Sequence, residues 1–278
     1  VDARYFAGLE GCIRVQGAAS LLPDMALLAP GWPHQAQPLG VVANEFSALH
    51  EADAWRFEDA DRAMPPLVFD EGLSAGLGLV GALLWSAVAQ GEAYACLHAG
   101  AVDTADGLLV LVGDANAGKS TLSLAWAALG RRFVGDDRLV VRFDGAPEGI
   151  GTALTPKLRL PLPPAAPTRF RDFVAAREVR RHEALTLLRL EAAEVQPFGA
   201  RRPLQALVLL DRDGFSPPHL EPAERTDLLD ALLEGGFAPR LGAVGRLQAF
   251  HRLTELPCLR LTYGDSFAAA ALLAEIFP

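Results

Sequence analysis

Lysine is almost missing from this sequence: of 25 basic residues only Lys119 and Lys157 are lysines, and the rest are arginine. Cysteine is scarce as well. Cys12, Cys96 and Cys258 form an odd, widely spaced set, which excludes a disulfide framework and any CxxC metal site. The compartment expected from that usage is the reducing cytoplasm. Positive charge is in deficit, 25 basic against 34 acidic residues, for a net charge of −9. Such a chain does not coat nucleic acid, because neutralising phosphates takes a surplus of cations. VDARYFAGLEGC lacks a basic stretch followed by an apolar one, so no signal peptide is expected. Internal repeats and low-complexity tracts are absent too.

Apolar residues are what the chain has in quantity, 51% of 278 residues. That is enough for a real core, and at roughly 150 residues per domain the length suggests about two domains or one large one. Twenty uncharged residues between Glu71 and Glu92 are long enough to span a bilayer. Five glycines, two serines and a glutamine interrupt them, and both flanks are acidic with no Lys or Arg to set an orientation. The stretch is therefore read as a buried core helix over about 71–91, and no membrane is expected as a partner.

Residues 1–68 carry short β-like runs, GCIRVQG and PLGVVANEF, broken by Pro-Gly clusters. They are expected to form a small β-rich N-terminal subdomain. Prolines at 23, 30, 33 and 38 exclude a regular helix from LLPDMALLAPGWPHQAQP. Beyond residue 69 the pattern changes. AYACLHAGAVDT reads as one strand, and LLVLVG (108–113) as a strand buried on both faces. A helix follows that Gly130 stops. LQALVLLDRDG (204–214) is a second buried strand, helical stretches occupy 222–235 and 241–253, and Asp265 or Ser266 caps a last helix. Strands alternating with helices over 95–278 predict an α/β fold.

The strand at 108–113 runs into GDANAGKS, which satisfies G-x-x-x-x-G-K-[ST]. In such a loop Gly113 and Gly118 let the backbone turn so that N–H groups point at phosphate oxygens. Between them lie Asp114, Ala115, Asn116 and Ala117. Lys119 reaches the terminal phosphates, Ser120 sits on Mg²⁺, and Thr121 follows at the positive end of a helix dipole. One of only two lysines occupies the slot the chemistry requires. A nucleoside triphosphate, ATP with Mg²⁺, is the expected ligand.

Downstream, RRFVGDD ends an apolar strand in Asp136 and Asp137. Adjacent residues at a strand end point in different directions. One carboxylate can then accept a proton while the other holds a metal or an orienting bond. The alternative is a solvated turn. Lys157 and Arg159 alternate on a strand-like segment and share one side, so they either contact phosphate or an acidic substrate or form an ordinary basic edge strand. Arg177, Arg180, Arg181 and His182 read as one helix face. Asp211 imitates the metal-bearing aspartate of a general ATPase.

The order Leu97-His98-Ala99, loop 113–121, Gly130-Arg131-Arg132 and Asp136-Asp137 resembles the kinase domain of HPr kinase/phosphorylase and its HPr kinase-like relatives, specifically over about 95–140. The resemblance implies a P-loop kinase domain of the HPr kinase C-terminal type over 69–278. It implies transfer of the ATP γ-phosphate to a serine of a protein or peptide. Asp136 would be the general base, with Ser120 and Asp137 near Mg²⁺ and Lys119 among the catalytic groups. His98 would tune the proton transfer, unless it is simply a hydrogen-bonded histidine at a strand end.

The sequence departs from the family in two places. Ala115-Asn116 stands where the family has Ser-Gly. PKLRLPLPP lacks the family's glutamate and glycines after the Asp pair. Both departures argue against a dephosphorylating activity and against HPr itself as substrate. Relatives without the HPr-specific features include kinases that modify precursor peptides of ribosomally made natural products, lasso peptides among them. A small-molecule kinase and a nucleotide-gated binding module are the rival readings. A homo-oligomer is compatible with all of them.

Overall fold

Period-two alternation in the first seventy residues produces a sheet. The computed structural model describes residues 3–59, 64–70, 72–182 and 184–278. In chain order the first part comprises β1 (Ala3–Ala7), β2 (Cys12–Gln16), α1 (Leu22–Leu28), β3 (His34–Gln35), β4 (Val42–Glu51), β5 (Ala54–Asp59), β6 (Leu67–Asp70) and α2 (Leu73–Val88). The six strands lie in the order β3-β1-β2-β4-β5-β6, with β2 and β4 parallel and the other pairs antiparallel.

Helix α1 corrects the reading that the proline-rich stretch holds no helix. Pro23 stands in its first turn, where a backbone N–H has no partner to lose, and Pro30 lies beyond its end.

Helix α2 is the apolar run, and its glycines are packing notches. A Cβ on Gly78 would lie 2.4 Å from Phe69 and 2.6 Å from Phe57, and one on Gly76 would lie 2.7 Å from Asp24. The helix thus sits directly on the first sheet, and Ala75, Leu79, Leu83 and Val88 are wholly buried in a core that continues into Tyr94, Cys96 and Val140. Glu71, the acidic flank of the run, lies outside the described residues. Among the described residues no helix is long and apolar enough to cross a membrane.

The rest of the chain is α/β. It runs β7 (Tyr94–Leu97), β8 (Gly100–Asp103), β9 (Leu108–Val112), α3 (Lys119–Ala128), β10 (Phe133–Gly135), β11 (Leu139–Arg142), β12 (Glu148–Ile150) and β13 (Lys157–Arg159). Then follow α4 (Thr168–Arg177), β14 (Glu178–His182), β15 (Leu185–Leu188), β16 (Arg201–Arg212), β17 (His219–Pro222), α5 (Arg225–Gly235), α6 (Ala243–Leu253), β18 (Cys258–Tyr263) and α7 (Ser266–Ile276).

A nine-stranded mixed sheet has β9, β16 and β18 side by side and parallel at its centre. The continuous apolar run of β9 follows from that position. Leu109 and Leu111 enter a core with Leu122, Trp126 and Leu273 on the α3–α7 face. Leu108, Val110 and Val112 enter another with Leu228, Leu232 and Phe250 on the α5–α6 face. A three-stranded sheet, β13-β15-β14, lies apart.

Two other expectations are corrected. AYACLHAGAVDT is two strands and not one: β7 pairs with β11, whereas β8 pairs with β9 and β10. The chain changes partners at His98-Ala99. The arginine run is no helix face either. Helix α4 ends at Arg177, Glu178 is extended, and Arg180, Arg181 and His182 lie on β14. Their charges are already matched, Arg177 by Glu194, Arg181 by Glu178 at 2.8 Å and Arg180 by Asp24 at 3.7 Å.

Candidate functional site

The loop between β9 and α3 rises from the carboxyl edge of the central parallel strands. Gly118 begins α3 with φ +100°, and a Cβ there would lie 2.8 Å from the Tyr263 hydroxyl oxygen, so only glycine fits. Asn116, standing where the resemblance expects glycine, has φ +73°. Asparagine is among the few non-glycine residues that tolerate that region. Its side-chain carbonyl accepts from the Arg159 guanidinium, which ties the loop to β13. Tyr263 donates its hydroxyl to the Ala117 carbonyl and holds the loop from the other side.

Lys119 is only 6% exposed. Its ammonium donates to the carbonyls of Gly113 at 2.6 Å and Asp114 at 3.1 Å. Burial pulls its pKa down, and the Asp137 and Asp114 carboxylates partly offset that.

The Asp pair follows β10 directly, and the structure separates the two carboxyls by environment. Asp136 is 6% exposed, and its Oδ2 accepts the Lys157 backbone N–H at 3.1 Å. Burial pushes its carboxyl up to about 6, against the opposing pull of Lys157. Asp137 goes the other way. His98 Nε2 donates to its Oδ1 at 3.0 Å, and that bond, helped by the Lys157 charge, holds it well below the usual carboxylate range. An ionised carboxylate only accepts, so Nε2 carries the proton. Gly235 closes over the histidine: a Cβ there would lie 2.4 Å from the His98 Cβ.

One cavity of about 570 Å³ collects these groups. His98, Asp114, Ala115, Asn116, Gly118, Lys119, Ser120, Thr121, Asp136, Asp137, Lys157 and Arg159 all line it. Both lysines of the chain are among them. Gly113 and Ala117 do not face it and act as the loop's backbone supports. Asp211, the alternative metal-bearing carboxylate, is not in the lining either; it pairs with Arg260 at 3.2 Å.

Five contributors carry no signal in their local sequence: Leu77 from α2, Leu158 from β13, Pro161 and Pro163 from the segment after it, and Leu185 from β15. Arg212, ending β16, does carry one. It stands next to Asp211 at the end of an apolar run parallel to β9.

No protein-family model matches the chain, and no curated protein matches it. Among solved structures it is similar to the Hpr(Ser) kinase/phosphatase from Coxiella burnetii, at 12% identity over 65% of this chain and 93% of that one, with a TM-score of 0.32.

Proposed function

We propose that this chain is an ATP-dependent phosphotransferase that moves the γ-phosphoryl group to a serine hydroxyl of a protein or peptide. The observation that carries the reading is the convergence of Lys119, Ser120, Asp136 and Asp137 in one cavity. The bond that forms joins the serine Oγ to the γ-phosphorus, and the bond that breaks is the one to the β–γ bridging oxygen, whose electrons leave with ADP.

Asp136 takes the serine proton. Its carboxyl, raised toward neutrality by burial, is a stronger acceptor than an exposed aspartate. Lys119 exchanges its loop carbonyls for phosphate oxygens and balances charge as the bond breaks. His98 keeps Asp137 ionised and oriented.

Among the described residues no three or more His, Cys, Asp or Glu side chains converge as a metal cluster. The donors at the loop are a hydroxyl and a carboxylate. Such hard oxygens suit Mg²⁺, which completes its shell with water and phosphate oxygens. Ser120 and Asp137 would hold it, and when bound it supplies neutralisation of phosphate charge. The departures after the Asp pair favour precursor peptides of ribosomal natural products over HPr as acceptors.

The test is mass spectrometry of HPr, short precursor-type peptides and free serine after incubation with Mg-ATP, wild type beside Asp136→Asn. A phosphate-sized gain on a peptide serine, absent with the variant, is expected. Gain on free serine alone would replace the peptide acceptor with a small molecule. No gain on any acceptor, with ATP binding intact, would overturn the transferase reading.

A further inference from the structure

A second cavity of about 210 Å³ adjoins the first. One wall is Pro163, Pro164 and Ala165, and the other is the turn from Gly264 to Phe267 between β18 and α7. Pro163 and Arg212 line both cavities, so the two volumes meet there. The topology explains the junction. Strands β9, β16 and β18 are parallel neighbours, so the glycine-rich loop, Arg212 and the Gly264–Phe267 turn all emerge at the same carboxyl edge. Ligands of open α/β sheets bind in the crevice at that edge. The contact is close: Ser266 Oγ lies 3.3 Å from where a Cβ on Gly118 would stand.

We infer that this slot seats the nucleoside base of the triphosphate whose phosphates the loop holds; the inference rests on the triphosphate reading above. Its walls are proline rings, an alanine methyl, the half-buried Phe267, whose ring packs on Phe170 at 4.8 Å, and Asp265, whose carboxylate accepts from the Phe267 N–H as the cap of α7. Apolar and aromatic faces suit a flat base, which has two π-faces to cover. Arg212, exposed at the junction, stands where the chain of phosphates leads into the sugar.

The larger cavity on the other side of the same segment, lined by Leu160, Leu162, Val174, Arg171 and Arg181, fits less well. Its guanidiniums are taken, Arg171 by the carbonyls of Pro163, Pro164 and Ala166, and Arg181 by Glu178. It also lacks contact with the parallel-strand edge.

Calorimetric titration of the full chain in Mg²⁺ with ATP and with inorganic tripolyphosphate tests the assignment. Ala165 is exposed, so Ala165→Trp fills the slot without entering the core. Wild type is expected to bind ATP about tenfold or more tightly than tripolyphosphate, the worth of one stacked base. Ala165→Trp is expected to abolish that preference with tripolyphosphate affinity retained, which doubles as its folding control. Should the Trp variant lose tripolyphosphate binding, Ala165→Leu takes its place. Equal binding of the two ligands to wild type, or an unchanged preference in the variant, overturns the slot and leaves the phosphate reading standing. Binding of neither ligand to wild type overturns both.

Discussion

His98 Nε2 donates to Asp137 Oδ1 across 3.0 Å, joining the break between β7 and β8 to the end of β10. The bond exists because the chain changes strand partners at His98 and frees the imidazole from the sheet. It holds Asp137 ionised, while burial leaves the neighbouring Asp136 able to take a proton. His98→Ala is expected to lower kcat about 10–100-fold, the usual loss when an orienting partner is removed. His98→Gln, which keeps an N–H donor, should recover part of it. Steady-state kinetics with the best acceptor measures both, and equal losses in the two variants would make the bond irrelevant.

Asp136 sets activity against stability. The folded chain keeps its proton up to about pH 6, whereas an ordinary aspartate loses it near 3.8. As pH rises through that interval the unfolded state releases the proton first, so folding stability falls, and the penalty is complete above about pH 6. In Mg²⁺-free buffer, Asp136→Asn should melt about 4–8 °C above wild type at pH 8, with the gap closing by pH 4. The same variant should transfer no phosphate. A gap independent of pH would refute the burial argument.

Lys119 is buried with its ammonium on two loop carbonyls. Replacement by Met should weaken ATP binding about 10–100-fold, the scale of lost hydrogen bonds to a charged group. Lys119→Arg should not rescue it, because a planar fork cannot occupy the point between the Gly113 and Asp114 carbonyls. Titration with Mg-ATP decides the matter, and full affinity in the Arg variant would contradict the geometry.

Two glycines of α2 should respond with opposite signs. A side chain at Gly78 collides with Phe57 and Phe69, whereas nothing lies within 4 Å of a Cβ at Gly81. Gly78→Val should cost about 2–3 kcal/mol by overpacking, and Gly81→Ala should add up to about 1 kcal/mol through helix propensity. Urea unfolding measures both.

The parts of the site that were legible from the chain are those written contiguously. The loop 113–121, the apolar strand before it and the Asp pair each carry their chemistry within a few residues, and the cap at Asp265, which accepts from the Phe267 N–H at 3.0 Å, is equally local. What escaped depends on contacts between distant segments. The split at His98 follows from two different strand partners, and hydropathy records only that both halves are apolar. Leu77 reaches the cavity because α2 docks where the first sheet meets the second. Pro23 misled because a residue that breaks a helix interior is harmless in a first turn. The arginines at 177–182 read as one helix face because the strand pairing of β14 with β15, which claims residues 180–182, is set by residues further along the chain.

The scarcity of lysine turns out to be useful. Both lysine amines of the 278-residue chain open into one cavity. Amine-directed reagents scatter over the surface of most proteins. Here their only side-chain targets are the buried Lys119 and the half-buried Lys157 beside Asp136. An ordinary acylating ester therefore becomes a footprint of this single site, readable as two peptides, and whatever fills the cavity will be seen as protection at both.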